Sequence, residues 1–210
     1  MYKKEKIRII QGKKSSIPKE YFIEMLKLRH EIYRKVGFIK KNKSLTYTDS
    51  YDDDAFHIIA IDNNKVIGSL SIISNNLPLE LIFKKEKEEL VNRYHAKKVV
   101  EISRFVISEE YRIGKDKDKM DDYNKFVSLK LIKFAYRYIL KKRINLILIT
   151  VHPKFKKRYI DKYNFKCYGN QKDYPSVENN PAILMYQTRW MIYRLLISNI
   201  KAMIFMFKKN

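Results

Sequence analysis

The sequence predicts an α/β fold, a mixed central sheet flanked by helices, and two observations predict it. Strand-like apolar runs alternate with helix-period segments in the order β-α-β-β-α-β-α-β-α-β-β, a pattern that calls for helices on both faces of a sheet. One run, Leu146–Val151, is almost wholly apolar, as in a strand covered on both faces. With no internal repeat or linker-like stretch, 1–188 reads as one domain and 189–210 as an appended apolar helix.

The first strand spans Lys6–Gln11 and is closed by Gly12. Ser15, Ser16 and Pro18 signal a helix start, and Phe22, Met25, Leu26, Ile32 and Tyr33 recur at helical spacing over Lys19–Lys35. Arg29 and Tyr33, four apart, share a face of that helix, and Gly37 ends it. Lys40–Ser50 has no apolar period and runs into an acidic turn, Asp49 to Asp54. Strands Phe56–Ile61 and Val66–Ile73 flank Asp62-Asn63-Asn64-Lys65, a strong hairpin signal. A short helix over Leu81–Tyr94 precedes the strand Val99–Ile107, and a polar segment leads to an amphipathic helix over Tyr123–Lys142. After Leu146–Val151, His152-Pro153 opens a short helix to Tyr163, and Phe165–Gly169 and Ala182–Gln187 read as the last strands. Trp190–Phe207 is almost all apolar with Arg194, Ser198 and Lys201 as a narrow polar stripe; it either packs on the domain or lies in a membrane interface.

Composition narrows the function classes. The lone Cys167 excludes an intramolecular disulfide, and His30, His57, His95 and His152 have no metal-ligand spacing. The first residues lack an apolar signal core, so a cytoplasmic protein, peripheral at most to the inner membrane face, is expected. A net charge of +22 invites an acidic partner. Its 34 Lys and 11 Arg are spread through the chain, however, and no nucleic-acid recognition module is present, so charge alone argues little for nucleic acid.

The strand Val99–Ile107 poses a physical problem. Glu101 and Ser103 fall on one face and Arg104 on the other, and an unpaired charge on a buried strand costs several kcal/mol. Either the strand is an edge and the charges are solvated, or partners elsewhere neutralise them. The plain alternative to a site is a structural ion pair. Arg29 is a candidate to pair with Asp49 or Asp52, and Arg104 with another of the acidic set.

Four segments carry a family resemblance. Leu28-Arg29-His30-Glu31-Ile32-Tyr33, Asp49-Ser50-Tyr51-Asp52, Val66-Ile67-Gly68-Ser69-Leu70 and Glu101-Ile102-Ser103-Arg104-Phe105, in that order and spacing, resemble the GNAT-fold acyl-homoserine-lactone synthases and their relatives, the N-acyl amino acid synthases. Phe38 stands where lactone synthases carry Trp, and Ser71 where their third strand carries Arg. Tyr163-Asn164-Phe165 and the loop through Tyr174 and Pro181 look more like the amino acid branch.

The resemblance implies a GNAT-like domain that transfers a fatty acyl group from a thioester to the amine of an amino acid or similar small molecule; lactone synthesis is the alternative, and a basic nucleic-acid-binding or non-catalytic acyl-binding protein is the alternative from another class. Tyr111-Arg112-Ile113-Gly114-Lys115 has one glycine where acetyltransferases bind coenzyme A pyrophosphate with several. Acyl-phosphopantetheine on an acidic acyl carrier protein is therefore the expected co-substrate, acyl-CoA the alternative, with no tightly bound cofactor or metal. Glu101, Ser103 and Arg104 are the candidate catalytic residues, Glu101 to deprotonate or orient the amine. Arg29, Tyr33, Asp49, Asp52, Phe105 and Val106 are the candidate substrate-binding residues, with backbone N–H groups near Phe105 and Val106 for the oxyanion.

Overall fold

The structure, a computed structural model, describes residues 7–40, 42–111 and 117–198, with side chains over the same stretches except 111–126 and 198. The Tyr111–Lys115 segment therefore lies largely outside the described residues, as does the C-terminal part of Trp190–Phe207. The described elements are β1 Arg8–Gly12, α1 Lys19–Lys35, β2 Phe56–Asp62, β3 Lys65–Ile73, α2 Glu80–Tyr94, β4 Val99–Ile107, α3 Lys117–Lys141, β5 Leu146–Val151, α4 Lys156–Tyr163, β6 Lys166–Tyr174, β7 Asn180–Thr188 and α5 Arg189–Ser198. The strand order is β1-β2-β3-β4-β5-β7-β6. β4 and β5 run parallel, while the β1–β2, β2–β3, β5–β7 and β6–β7 pairs are antiparallel, so the sheet is mixed.

The chain forms two compact units, Met1–Ile73 with Ser103–Ala135, and Ser74–Ile102 with Tyr136–Asn210, and the boundary falls inside β4. In the first unit, α1 buries the face carrying Phe22, Met25, Leu26 and Ile32 against Ile59, Ile61, Val66 and Val106. The hairpin turn places Asn63 and Asn64 at φ 48° and 59°. That is the two-residue left-handed turn that matches strand twist and that Asn tolerates. Gly68 is required by close approach: a Cβ there would meet the Val106 carbonyl oxygen at 3.1 Å and Leu131 at 3.2 Å.

In the second unit, β5 pairs with β7 along its length, from Leu146↔Thr188 to Val151↔Ile183. Its pairing with β4 covers only Val99↔Leu146, Val100↔Ile147 and Glu101↔Leu148. Leu146, Ile147 and Leu148 are fully buried, as a strand between two neighbours requires. Thr188 Oγ1 accepts from the Met191 N–H and starts α5 directly from β7.

Two expectations are corrected. α3 begins at Lys117 and not Tyr123, so Lys117–Asp122 is helix; its charges belong to the opening turns of a helix and not to a loop. β6 and β7 extend well beyond Phe165–Gly169 and Ala182–Gln187, because their pairing resumes past an irregularity between Tyr168 and Lys172. β4 keeps its two-residue alternation around Arg104: Ile102, Arg104 and Val106 are buried, while Ser103 and Phe105 are half-buried.

Candidate active site

The site grows from the one fully buried arginine of α1. Arg29 Nη1 donates to Asp52 Oδ1 at 2.8 Å and Oδ2 at 2.9 Å. Asp52, itself buried, also accepts from Thr48 Oγ1 and from the Asp49 N–H, both at 3.1 Å. Burial alone would raise the Asp52 pKa; the Arg29 guanidinium outweighs it and holds the carboxyl below the usual carboxylate range. The Tyr47 N–H donates to the Leu26 carbonyl, which ties the loop before the acidic turn back onto α1.

Arg104 carries the second half of the network. Its Nη2 donates to Asp49 Oδ2 at 2.6 Å, and its Nε lies 3.9 Å from Asp52 Oδ1. The two ion pairs are thereby one cluster of Arg29, Asp49, Asp52 and Arg104. Asp49 Oδ1 is taken by the Tyr51 N–H, and the guanidinium sits over the Tyr51 ring.

Two costs fall on Arg104 together. Its φ is +56°, a left-handed conformation worth roughly 1–2 kcal/mol of strain for a side chain with a Cβ. It is only 6% exposed, yet Nε and Nη1 are buried and make no hydrogen bond among the described residues. Each such donor costs about 1–3 kcal/mol. Strain and unpaired polarity at one buried position are characteristic of a functional site.

The other sequence candidates fall into distinct places. Tyr33 packs edge-on to Phe38 at 5.8 Å and against Tyr47 at 5.3 Å. Burial pushes its hydroxyl up to about 12 despite the Arg29 and Arg104 charges nearby. Glu101, at the β4–β5 paired end of the strand, is buried, and its Oε2 accepts from the Leu79 N–H at 2.9 Å. Ser103 and Phe105 are half-buried, and the Val106 side chain belongs to the core under α1, so any role of Val106 is through its backbone.

One pair escaped the sequence reading as a site. His57 and Ser71, both fully buried, face each other across β2 and β3 with Nδ1 and Oγ 2.9 Å apart. Nε2 lies 2.9 Å from the Asp52 carbonyl oxygen. A carbonyl can only accept, so Nε2 carries the hydrogen, and in the neutral ring Ser71 donates to Nδ1. His57 thus anchors the backbone of the residue that holds Arg29. Burial lowers its pKa, which keeps the ring neutral. Ser71 was singled out only as a departure from the lactone synthases, and its partner carried no signal in the sequence.

The mixed seven-stranded sheet flanked by helices is the fold of GNAT-like acyltransferases. The family model of the N-acyl amino acid synthase FeeM matches residues 24–188, and the chain belongs to that family. The FeeM structure from uncultured soil microbes is 19% identical with a TM-score of 0.70, over 93% of this chain and 99% of that one. The acyl-homoserine-lactone synthase LasI is 18% identical with a TM-score of 0.63, over 87% and 89%. The CoA-dependent lactone synthase BjaI is 15% identical with a TM-score of 0.63, over 91% and 88%. No curated protein matches the chain significantly. The protein is an N-acyltransferase that uses an acyl-thioester co-substrate.

Proposed function

We propose that the enzyme transfers a medium or long acyl chain from the phosphopantetheine thioester of an acyl carrier protein to the amino group of an amino acid. What supports the acceptor is the buried Arg104: Asp49 takes its Nη2, Asp52 Oδ1 lies 3.9 Å from Nε, and Nη1 and Nε make no hydrogen bond among the described residues. A carboxylate is an acceptor that suits a guanidinium N–H left without a hydrogen bond. The donor rests on charge: Lys154, Lys156, Lys157, Arg158, Lys162 and Lys166 along α4 and its flanks are all exposed, against the single Asp161. Such a face attracts an acidic carrier.

The neutral amine nitrogen attacks the thioester carbonyl carbon. The C–N bond forms, the C–S bond breaks, and the amine proton ends on the departing thiolate. Glu101 takes that proton, directly or through one water, and passes it on to the thiolate, and the backbone N–H groups near Phe105 and Val106 stabilise the oxyanion. Ser103 is the candidate polar side chain for the proton path.

Thiol release from acyl carrier protein and from acyl-CoA, measured across a panel of amines and amino acids, tests this. Amino acids are expected to give release with the carrier thioester. Glu101→Gln keeps an acceptor for the Leu79 N–H and is expected to lower kcat by about 10²–10⁴-fold. Arg104→Gln should raise KM for the amino acid far more than for the donor. Release with no amine at all sinks the proposal, and equal use of acyl-CoA sinks its carrier part.

A further inference from the structure

α5 leaves β7 with two faces of different chemistry. Ile192 and Leu196 are buried, and the helix packs back on β7. Trp190, Tyr193 and Ile197 are 61%, 38% and 68% exposed. Their i, i+3, i+7 spacing puts them on one side of the helix. Arg194 lies over the Trp190 ring at 5.8 Å.

Charge decides what this face meets. From 189 to 210 the sequence holds Arg189, Arg194, Lys201, Lys208 and Lys209, no acidic residue, and a majority of apolar ones. A two-fold contact with a second copy would set these cations against one another with no carboxylate from the same segment to pair them. A Trp–Tyr–Ile stripe flanked only by cations matches a bilayer interface instead. There, aromatic rings sit at headgroup depth, aliphatic groups enter the acyl boundary and basic side chains reach lipid phosphates. No helix among the described residues is long and apolar enough to cross a membrane, and Arg194 and Lys201 inside the apolar stretch suit a surface position.

We propose that the Trp190–Tyr193–Ile197 face of α5 docks the protein on an anionic phospholipid surface, the helix lying in the interface plane. Trp190 is the only tryptophan in the chain, so its emission reports the contact directly. Vesicles of phosphatidylcholine with phosphatidylglycerol, added to the full chain, are expected to shift that emission to the blue and shield it from iodide. Partitioning should be about tenfold or more weaker on pure phosphatidylcholine or in high salt. Ile197→Asp should weaken it at least tenfold with an unchanged Tm, since Ile197 makes little packing to lose. An unmoved spectrum on anionic vesicles overturns the proposal. So does equal partitioning onto both vesicle types, or a Trp190 already shielded in a lipid-free dimer.

Discussion

Strands β4 and β5 are parallel neighbours over Val99–Glu101 and Leu146–Leu148, yet they are built from opposite chemistry. β5 solves burial with aliphatic side chains and a single threonine, Thr150. β4 carries a buried glutamate, a half-buried serine and a buried arginine with a left-handed backbone, and needs the Asp49–Asp52 turn to neutralise that arginine, Asp52 being shared with the α1 arginine Arg29. Apolar packing is the cheaper way to bury a strand, and a buried ion pair is rarely better for stability than an apolar replacement. β4 therefore carries its charges at a cost to stability that β5, packed with apolar groups, does not bear.

The largest effect is expected at the buried ion pair. Asp52→Ala should cost about 3–5 kcal/mol in denaturant unfolding, because Arg29 is left charged and unpaired. Combining Arg29→Met with Asp52→Leu should recover part of that loss without recovering thiol release. If Asp52→Ala is neutral for both stability and activity, the acidic turn is an ordinary turn and the comparison collapses.

On β5, Ile147→Ala should cost about 2–5 kcal/mol from a cavity in a packed interior. Unlike the Asp52 loss, which shrinks once the pH falls below about 4, this one should not change with pH.

A smaller effect belongs to His57. Burial depresses its pKa in the folded state, so the unfolded chain binds more protons and stability falls as pH drops below about 6.5. Asp52, held below its usual range, gives up its contribution only further down, below about 4. Urea midpoints between pH 7.5 and 5 should therefore decline in the wild type and flatten in His57→Gln. Equal slopes would remove His57 from the anchoring of Asp52.

The smallest is at the surface. Lys65 Nζ and Glu110 Oε2 lie 2.6 Å apart but are 55% and 67% exposed. Lys65→Ala should cost less than about 1 kcal/mol, and that only at low salt. Thermal unfolding at two salt concentrations separates this pair from the buried one at a similar distance.

By itself the sequence determined the element order, the bounds of α1, β4 and β5, and the composition of the charged cluster. These follow from periodicity, from punctuating Gly, Pro and Asn residues, and from the improbability of opposite charges on a buried strand, all of which are local or pairwise signals. The pairing itself was left open between Asp49 and Asp52; the tertiary structure divided them, Asp52 to Arg29 and Asp49 to Arg104. It also decided the left-handed turn at Arg104, which no propensity predicts for arginine and which only the surrounding contacts can impose. His57 shows the same limit most clearly. An unbroken ladder from Asp62↔Lys65 would set it against Leu70, but an irregularity between Ala60 and Ile61 moves it opposite Ser71. One residue of register turned an ordinary core position into a polar anchor, and register across a bulge is settled by packing on both faces of the sheet at once.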